Sequence, residues 1–177
     1  MERGLYVSTD IDGLMQTLNI NHKPLDWRLF TDSCKLSLKA VLLHNGNTLS
    51  SNHVGYSVRN NDSYVNMKVL MEAINYYKFK WQICGDLKVI TLLFGLQQGF
   101  TKYCCFICEW DSRARSLHYS RKYWPVRKSL EPGIMNVDNQ PLVEPSKILL
   151  PSMHLKFGLV KNFVKAMNQE EAAFTYL

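Results

Sequence analysis

Between Trp27 and Gln98 the hydrophobic period of the chain changes three times, and those changes limit the fold more than any other feature. Trp27-Arg28-Leu29-Phe30-Thr31-Asp32 alternates bulky and polar groups, Leu36 to Leu43 continues in strand-like fashion, and His44-Asn45-Gly46-Asn47 supplies a turn. His53-Val54-Gly55-Tyr56-Ser57-Val58 alternates again and stops at the turn-forming run Arg59 to Ser63. Val65, Val69, Leu70, Ala73, Ile74 and Tyr77 then fall at helical spacing, with Asp62 or Ser63 placed to cap the start. Phe79 to Cys84 returns to a short strand ended by Gly85-Asp86, and Leu87 to Gln98 reads as a buried helix closed by Gly99. The order strand, strand, strand, helix, strand, helix predicts an α/β fold whose mixed sheet begins as an antiparallel meander.

The length of 177 residues, 46% of them hydrophobic, suffices for one core and not for two comfortable domains. Residues 1–24 read as a leading segment, either a linker or a short helix around Ile11, Leu14, Met15 and Leu18. Residues 25–103 form the first part of the core, 104–151 a basic, cysteine-containing insertion rich in loops, and 152–177 an amphipathic helix with a truncated end. The sequence has no run of eighteen apolar residues, and MERGLYVSTDIDG lacks the basic and apolar regions of a signal peptide. Neither membrane insertion nor secretion is expected, and the chain reads as intracellular. A formal charge of +6 is compatible with a polyanionic partner without proving one.

Asp32 and Asp86 each sit where an expected strand runs out. Carboxylate oxygens are hard ligands suited to Mg²⁺, and phosphodiester transfer is assisted by divalent ions that activate the attacking oxygen and neutralise the leaving one. The plainer alternative is that Asp32 begins a turn and Asp86 caps the following helix, as aspartates usually do.

Of five cysteines, three crowd into Cys104, Cys105 and Cys108, unlike the even, dispersed set of a secreted disulfide scaffold. The pair Cys105 and Cys108 has the spacing in which two thiolates reach one Zn²⁺, with His118 and His154 as completing ligands, although neither gap matches a zinc finger. The alternative is that these thiols are small interior hydrophobes. A redox role is disfavoured, because no strand-to-helix context leads into the motif.

Residues 113–128 interleave Arg113, Arg115, Arg121, Lys122, Arg127 and Lys128 with Tyr119, Tyr123 and Trp124. Cations neutralise phosphates while rings stack on bases, so this run is the candidate nucleic-acid-binding segment. A solvated loop whose aromatics fold inward is the competing reading. From Met153 onward, Leu155, Leu159, Phe163 and Met167 recur every four residues, as expected of a helix turning an apolar face to the core.

Four stretches carry a family resemblance: Thr31-Asp32-Ser33, Cys84-Gly85-Asp86-Leu87-Lys88, Cys105-Phe106-Ile107-Cys108 and Leu150-Pro151-Ser152-Met153-His154-Leu155-Lys156-Phe157-Gly158. Together with the element order they resemble the succession found in eukaryotic cut-and-paste DNA transposases of the DDE type, over roughly residues 25–170. The likeness is nearer to groups whose RNase H-like core carries a zinc-binding insertion, including Transib-like elements and the V(D)J recombinase core. It implies an RNase H-like mixed sheet with its first and fourth strands side by side, so that their carboxylates are neighbours. Asp32 then matches the first catalytic aspartate, Asp86 the second, Cys105 and Cys108 the cysteine pair of the insertion, and His154 the histidine of the later helix.

The third catalytic acid of that pattern has no secure counterpart. Glu170 and Glu171 are the only carboxylates late enough, and the expectation is that the chain is cut from a longer one. DNA is the implied partner and the nucleus the implied location. No end-recognition helix-turn-helix or zinc finger is visible before residue 25, and self-association stays open. Three functions compete: a Mg²⁺-dependent DNA nuclease or strand-transfer remnant, an inactive zinc-stabilised nucleic-acid-binding module, and a zinc-stabilised protein-interaction module.

Overall fold

The alternating segments pair into one mixed sheet, and the helical segments cover one of its faces. The computed structural model describes residues 4–34, 37–58, 62–99 and 101–167, the side chain of His154 excepted. The strands are β1 (Leu5–Val7), β2 (Trp27–Cys34), β3 (Ser37–His44), β4 (Asn52–Val58), β5 (Gln82–Gly85) and β6 (Ile148–Leu149). The helices are α1 (Ile11–Thr17), α2 (Tyr64–Ala73), α3 (Tyr76–Phe79), α4 (Leu87–Leu93) and α5 (Ser152–Ala166). The strand order across the sheet is β1-β4-β3-β2-β5-β6. The first four pair antiparallel, whereas β5 lies parallel to β2 and β6 parallel to β5. The expected meander is therefore present, and the strand reached through the helices does lie beside its first strand.

Alternation in β2 sends Trp27, Leu29 and Thr31 to one face and leaves Arg28, Phe30 and Asp32 on the other. The first set joins Leu38, Ala40 and Leu42 of β3 under Met67, Leu70, Met71 and Ile74 around α2, and Val89 and Leu93 of α4. A fully buried Leu or Ile contributes about 1.5–3 kcal/mol. Helix and sheet meet closely at Gly55, where an added Cβ would come within 2.6 Å of Leu70 Cδ1.

Residues 5–17 do more than a leading linker would. Leu5 and Val7 pack on the core from the sheet edge, and α1 buries Ile11 and Met15 completely. Asp10 caps this helix by accepting from Gly13 N at 2.9 Å. Asp12, on its exposed side, takes an ion pair from Lys78 at 2.7 Å and a hydrogen bond from His22 Nδ1 at 2.8 Å. These two partners hold the Asp12 carboxyl below its ordinary range. Trp81 Nε1 donates to the other nitrogen of His22 at 3.3 Å, so the proton of the neutral ring sits on Nδ1.

Three boundaries differ from the periodicity. The helix expected to run to Tyr77 stops at Ile74, because Asn75 adopts φ 55° and ψ 38° and α3 restarts the chain in a new direction. Asparagine tolerates this left-handed conformation, and its Nδ2 bonds Thr9 O at 3.0 Å. The helix expected to reach Gln98 ends near Gly95, whose φ of +66° and contact with Asn139 O exclude a side chain. The third difference is in the insertion: Val137, Leu142 and Val143 are buried, and Ile148-Leu149 form the outermost strand, so 104–151 is sewn into the core at its far end.

Helix α5 overturns the expected apolar face against the core. Leu155, Phe157, Leu159, Val160 and Phe163 are all exposed. No helix among the described residues is long and apolar enough to cross a membrane.

Candidate functional site

Asp32 and Asp86 reach the same end of the sheet through the pairing of β2 with β5. The parallel register runs Arg28↔Gln82, Leu29↔Ile83, Phe30↔Cys84 and Thr31↔Gly85, and Asp86 keeps an extended backbone at φ −72°, ψ 169°. Asp32 and Asp86 are the residues that follow the last of these pairs, Asp32 still within β2 and Asp86 just past the end of β5, where the two strands lie about 4.8 Å apart. Gly85 makes the approach tight: a Cβ there would lie 2.7 Å from Thr31 O. Asp32 lies within β2, which continues to Cys34, so the strand does not run out at the aspartate as the sequence pattern suggested.

The two carboxylates have different surroundings. Asp86 Oδ1 accepts from Val89 N at 2.7 Å and caps α4, as the plainer alternative anticipated. Asp32, half-buried, has no hydrogen bond or ion pair with a described residue, and its cross-strand neighbour on β3 is the exposed Lys39. The flanking Thr31 and Ser33 turn inward, where their hydroxyls are buried without a partner among the described residues. Lys88, two residues past Asp86, is paired with Asp62.

A row of side chains crosses the open face of the sheet from its edge strand β1 to Asp32 on β2. The registers Tyr6↔Tyr56, Tyr56↔Lys39 and Lys39↔Asp32 align four residues on four adjacent strands. Phe30, one pleat away, is also exposed on this face. The sequence pattern missed the row because β1 was taken into the leading segment; the short alternation Leu5-Tyr6-Val7 was its only signal.

The cysteine pair forms a compact hook. Cys108 Sγ and Cys105 Sγ are 3.5 Å apart, and the backbone N–H groups of Ile107 and Cys108 both reach Cys105 Sγ at 3.4 Å. Two thiolates on a tetrahedral Zn²⁺, with bonds of about 2.3 Å, stand about 3.8 Å apart, so the spacing fits that ion. Burial, followed by the hydrogen bond with Cys105, pushes the Cys108 thiol up. A short ladder braces the hook, with Arg127 N bonding Ile107 O at 2.9 Å and Glu109 N bonding Pro125 O at 2.8 Å.

His118 stacks on Trp110 at 4.8 Å, and its Nε2 bonds Asp111 O at 2.8 Å. A carbonyl only accepts, so Nε2 carries the proton, and Nδ1 of the neutral ring has the lone pair that a metal needs. The side chain of His154 and residues Glu170 and Glu171 lie outside what is described. Among the described residues no three His, Cys, Asp or Glu side chains converge in a metal-binding group, so the structure brings together Cys105 with Cys108 but adds no third ligand.

The basic segment divides into outer and inner members. Arg113, Arg115, Arg121, Lys122 and Lys128 are exposed, as are Tyr119 and Tyr123. Arg121 lies over the Trp124 ring at 4.5 Å. Arg127 corrects the sequence reading. It is buried, donating through Nε to Cys105 O at 3.0 Å, through Nη1 to Met135 O at 3.2 Å and through Nη2 to Tyr103 O at 3.1 Å. With all three nitrogens turned inward to carbonyls, Arg127 closes the insertion rather than meeting phosphates.

These features define a mixed α/β domain with a six-stranded sheet, two aspartates at one end of its central strands and a braced cysteine hook. The chain belongs to the family described as Domain of unknown function (DUF8703), whose model matches residues 1–143. That match takes in both aspartates, the cysteine hook, His118 and the basic segment, and stops before β6 and α5. No curated protein and no solved structure matches the chain.

Proposed function

We propose that this chain is a transposase-derived, RNase H-like domain that acts on DNA, cleaving phosphodiesters with Mg²⁺ held between Asp32 and Asp86. The observation that carries the reading is the parallel pairing of β2 with β5, which takes two aspartates 54 positions apart in sequence (86 − 32) to the same end of the sheet. Asp32 offers both carboxylate oxygens, while Asp86 offers Oδ2, its Oδ1 being fixed by the Val89 N–H. That cap holds the second ligand in one orientation before any ion arrives. When bound, Mg²⁺ supplies Lewis-acid polarisation of the phosphate and of an attacking water. In hydrolysis the water oxygen forms a new bond to phosphorus and loses its proton, the P–O3′ bond breaks, and O3′ takes up a proton.

The proposed Zn²⁺ belongs to Cys105 and Cys108, with His118, which does not converge on the pair in this structure and would have to move onto the ion, and the imidazole of His154 as further ligands. The support is the hook itself: sulfurs at the right separation and N–H groups aimed at Cys105. In this reading the ion joins the insertion to the start of α5. The exposed Arg113, Arg115, Arg121, Lys122 and Lys128, with Tyr119 and Tyr123, supply the DNA-binding surface, and such a surface suits a nuclear protein.

A second reading is an inactive nucleic-acid-binding module. It is favoured by the role Asp86 already has as a helix cap, which accounts for that residue without chemistry, while the basic and aromatic surface stands independently of the carboxylates. One preparation tests both. The full chain is analysed for bound zinc and incubated with supercoiled plasmid and Mg²⁺. Nicking that disappears in Asp32→Ala and in EDTA supports cleavage. Salt-sensitive DNA binding with no nicking transfers support to the second reading, and failure to bind DNA at low salt sinks both.

A further inference from the structure

The open face of the sheet places aromatic rings and cations in a line that ends at the aspartate pair. Tyr6 is 70% exposed, Tyr56 39% and Phe30 37%, although all three project from strands whose opposite face is the closed core. Tyr6, Tyr56, Lys39 and Asp32 stand in cross-strand register, spanning three strand spacings, about 14 Å at ~4.8 Å each. Neither tyrosine hydroxyl has a hydrogen-bond partner among the described residues, and no ring of the row stacks on another described side chain.

We propose that this face is a stacking platform for single-stranded nucleic acid, delivering an unpaired strand to the end of β2 and β5 that carries Asp32 and Asp86. The ligand class rests on the nucleic-acid reading above; the platform itself does not require catalysis. Bases show their flat faces to protein only when unpaired, and a ring on an exposed sheet surface is free to stack on any of them. A span of about 14 Å corresponds to roughly four nucleotides at the ~3.4 Å spacing of a stacked strand.

The charge of the face selects the same partner. Its strand residues include the cations Arg28 and Lys39, along with His53, and Asp32 is the only carboxylate that the six strands contribute. Lys39 stands between the rings of β1 and β4 and the carboxylate of β2, where a phosphate passing from one to the other needs a counter-charge. An apolar protein partner would instead bury Lys39 and Arg28 away from water with Asp32 as the one strand carboxylate on this face to set against two cations.

The test measures binding in EDTA, so that cleavage plays no part. Fluorescence anisotropy compares labelled oligo-dT with a duplex of equal length, using the full chain, the double variant Tyr6→Ala/Tyr56→Ala, Lys39→Ala, and the double variant Tyr6→Phe/Tyr56→Phe. Stacking is worth about 1–3 kcal/mol per base. The alanine double variant is therefore expected to lose about 10-fold or more in single-strand affinity, with less than about 3-fold change on duplex, and the phenylalanine variant to retain it. Lys39→Ala should weaken the single strand and reduce the salt slope. Equal single-strand affinity in wild type and the alanine double variant overturns the proposal. So does absence of single-strand binding by the wild type, or a variant effect confined to self-association in sedimentation. If plasmid nicking fails while the tyrosine effect holds, the catalytic reading falls and the platform stands; the converse pattern removes the platform alone.

Discussion

Asp86 is asked to do two jobs, and they separate by substitution. As the cap of α4 its Oδ1 accepts from Val89 N at 2.7 Å; as a metal ligand it must carry negative charge. Asparagine caps about as well as aspartate, whereas alanine in place of a good cap costs about 1 kcal/mol, within a range of about 0.5–2. The cost should reach global stability in full, because the seven-residue α4 places Val89, Ile90, Leu92 and Leu93 in the core and cannot fray without exposing them. Asp86→Ala is thus expected to lower Tm by about 2–4 °C. Asp86→Asn should stay within about 1 °C, losing only the carboxylate's interaction with the helix dipole, a few tenths of a kcal/mol.

Nicking should respond differently. Both variants lose the charged ligand and should lose activity alike, by at least about 100-fold, the order of removing one electrostatic stabiliser from a reaction centre. Thermal unfolding followed by circular dichroism, with plasmid nicking in Mg²⁺ on the same samples, reads the two effects apart. If Asp86→Asn unfolds as early as Asp86→Ala, the cap does not explain the stability. If Asp86→Asn nicks at the wild-type rate, the carboxylate is not a ligand and the proposed chemistry is wrong.

Arg127→Ala should destabilise the chain by about 2–4 kcal/mol, since it strands the carbonyls of Tyr103, Cys105 and Met135, while leaving duplex affinity of the folded protein within about 2-fold; urea unfolding and anisotropy check this. Arg121→Ala/Lys122→Ala should do the reverse, keeping the urea midpoint but reducing the slope of log K against log salt by about 2, and an unchanged slope would remove these residues from the interface. Asp12, whose carboxyl is lowered by Lys78 and His22, contributes stability present above its unfolded value of 3.8 and lost as pH falls through the lower folded value. The advantage of wild type over Asp12→Asn should therefore be constant above about pH 5 and fade below about pH 4, by less than about 1 kcal/mol in all because the pair is exposed. Urea midpoints across that range give the answer, and an advantage growing toward acid would contradict it.

Much of the sheet was legible because its strands have one buried face. Trp27, Leu29, Leu38, Leu42 and Val54 impose a period of two, and Met67, Leu70, Met71 and Ile74 a helical one, so element types follow from which positions must leave water. Boundaries were less legible where a single backbone conformation decides them, as at Asn75 and Gly95. The three-residue β1 is too short for a periodic signal, and without it the tyrosine row of the open face does not exist in the sequence. Local spacing identified the Cys105 and Cys108 hook, whose geometry is set within four residues. The same means misassigned Arg127, because its burial depends on carbonyls supplied by Tyr103, 24 residues before it, and Met135, 8 residues after it.

The exposed hydrophobic stripe of α5 has a practical consequence for handling the protein. Leu155, Phe157, Leu159, Val160 and Phe163 face water, and the fifteen residues of the helix contain Lys156, Lys161 and Lys165 but no aspartate or glutamate. At low ionic strength those ammonium groups make neighbouring molecules repel before their greasy surfaces can touch. At about 1 M salt the Debye length shrinks to about 3 Å and the repulsion disappears. A concentrated-salt wash, the usual means of stripping nucleic acid from a basic protein, is thus the treatment expected to make this chain associate, and moderate salt with a mild detergent is expected to keep it dispersed.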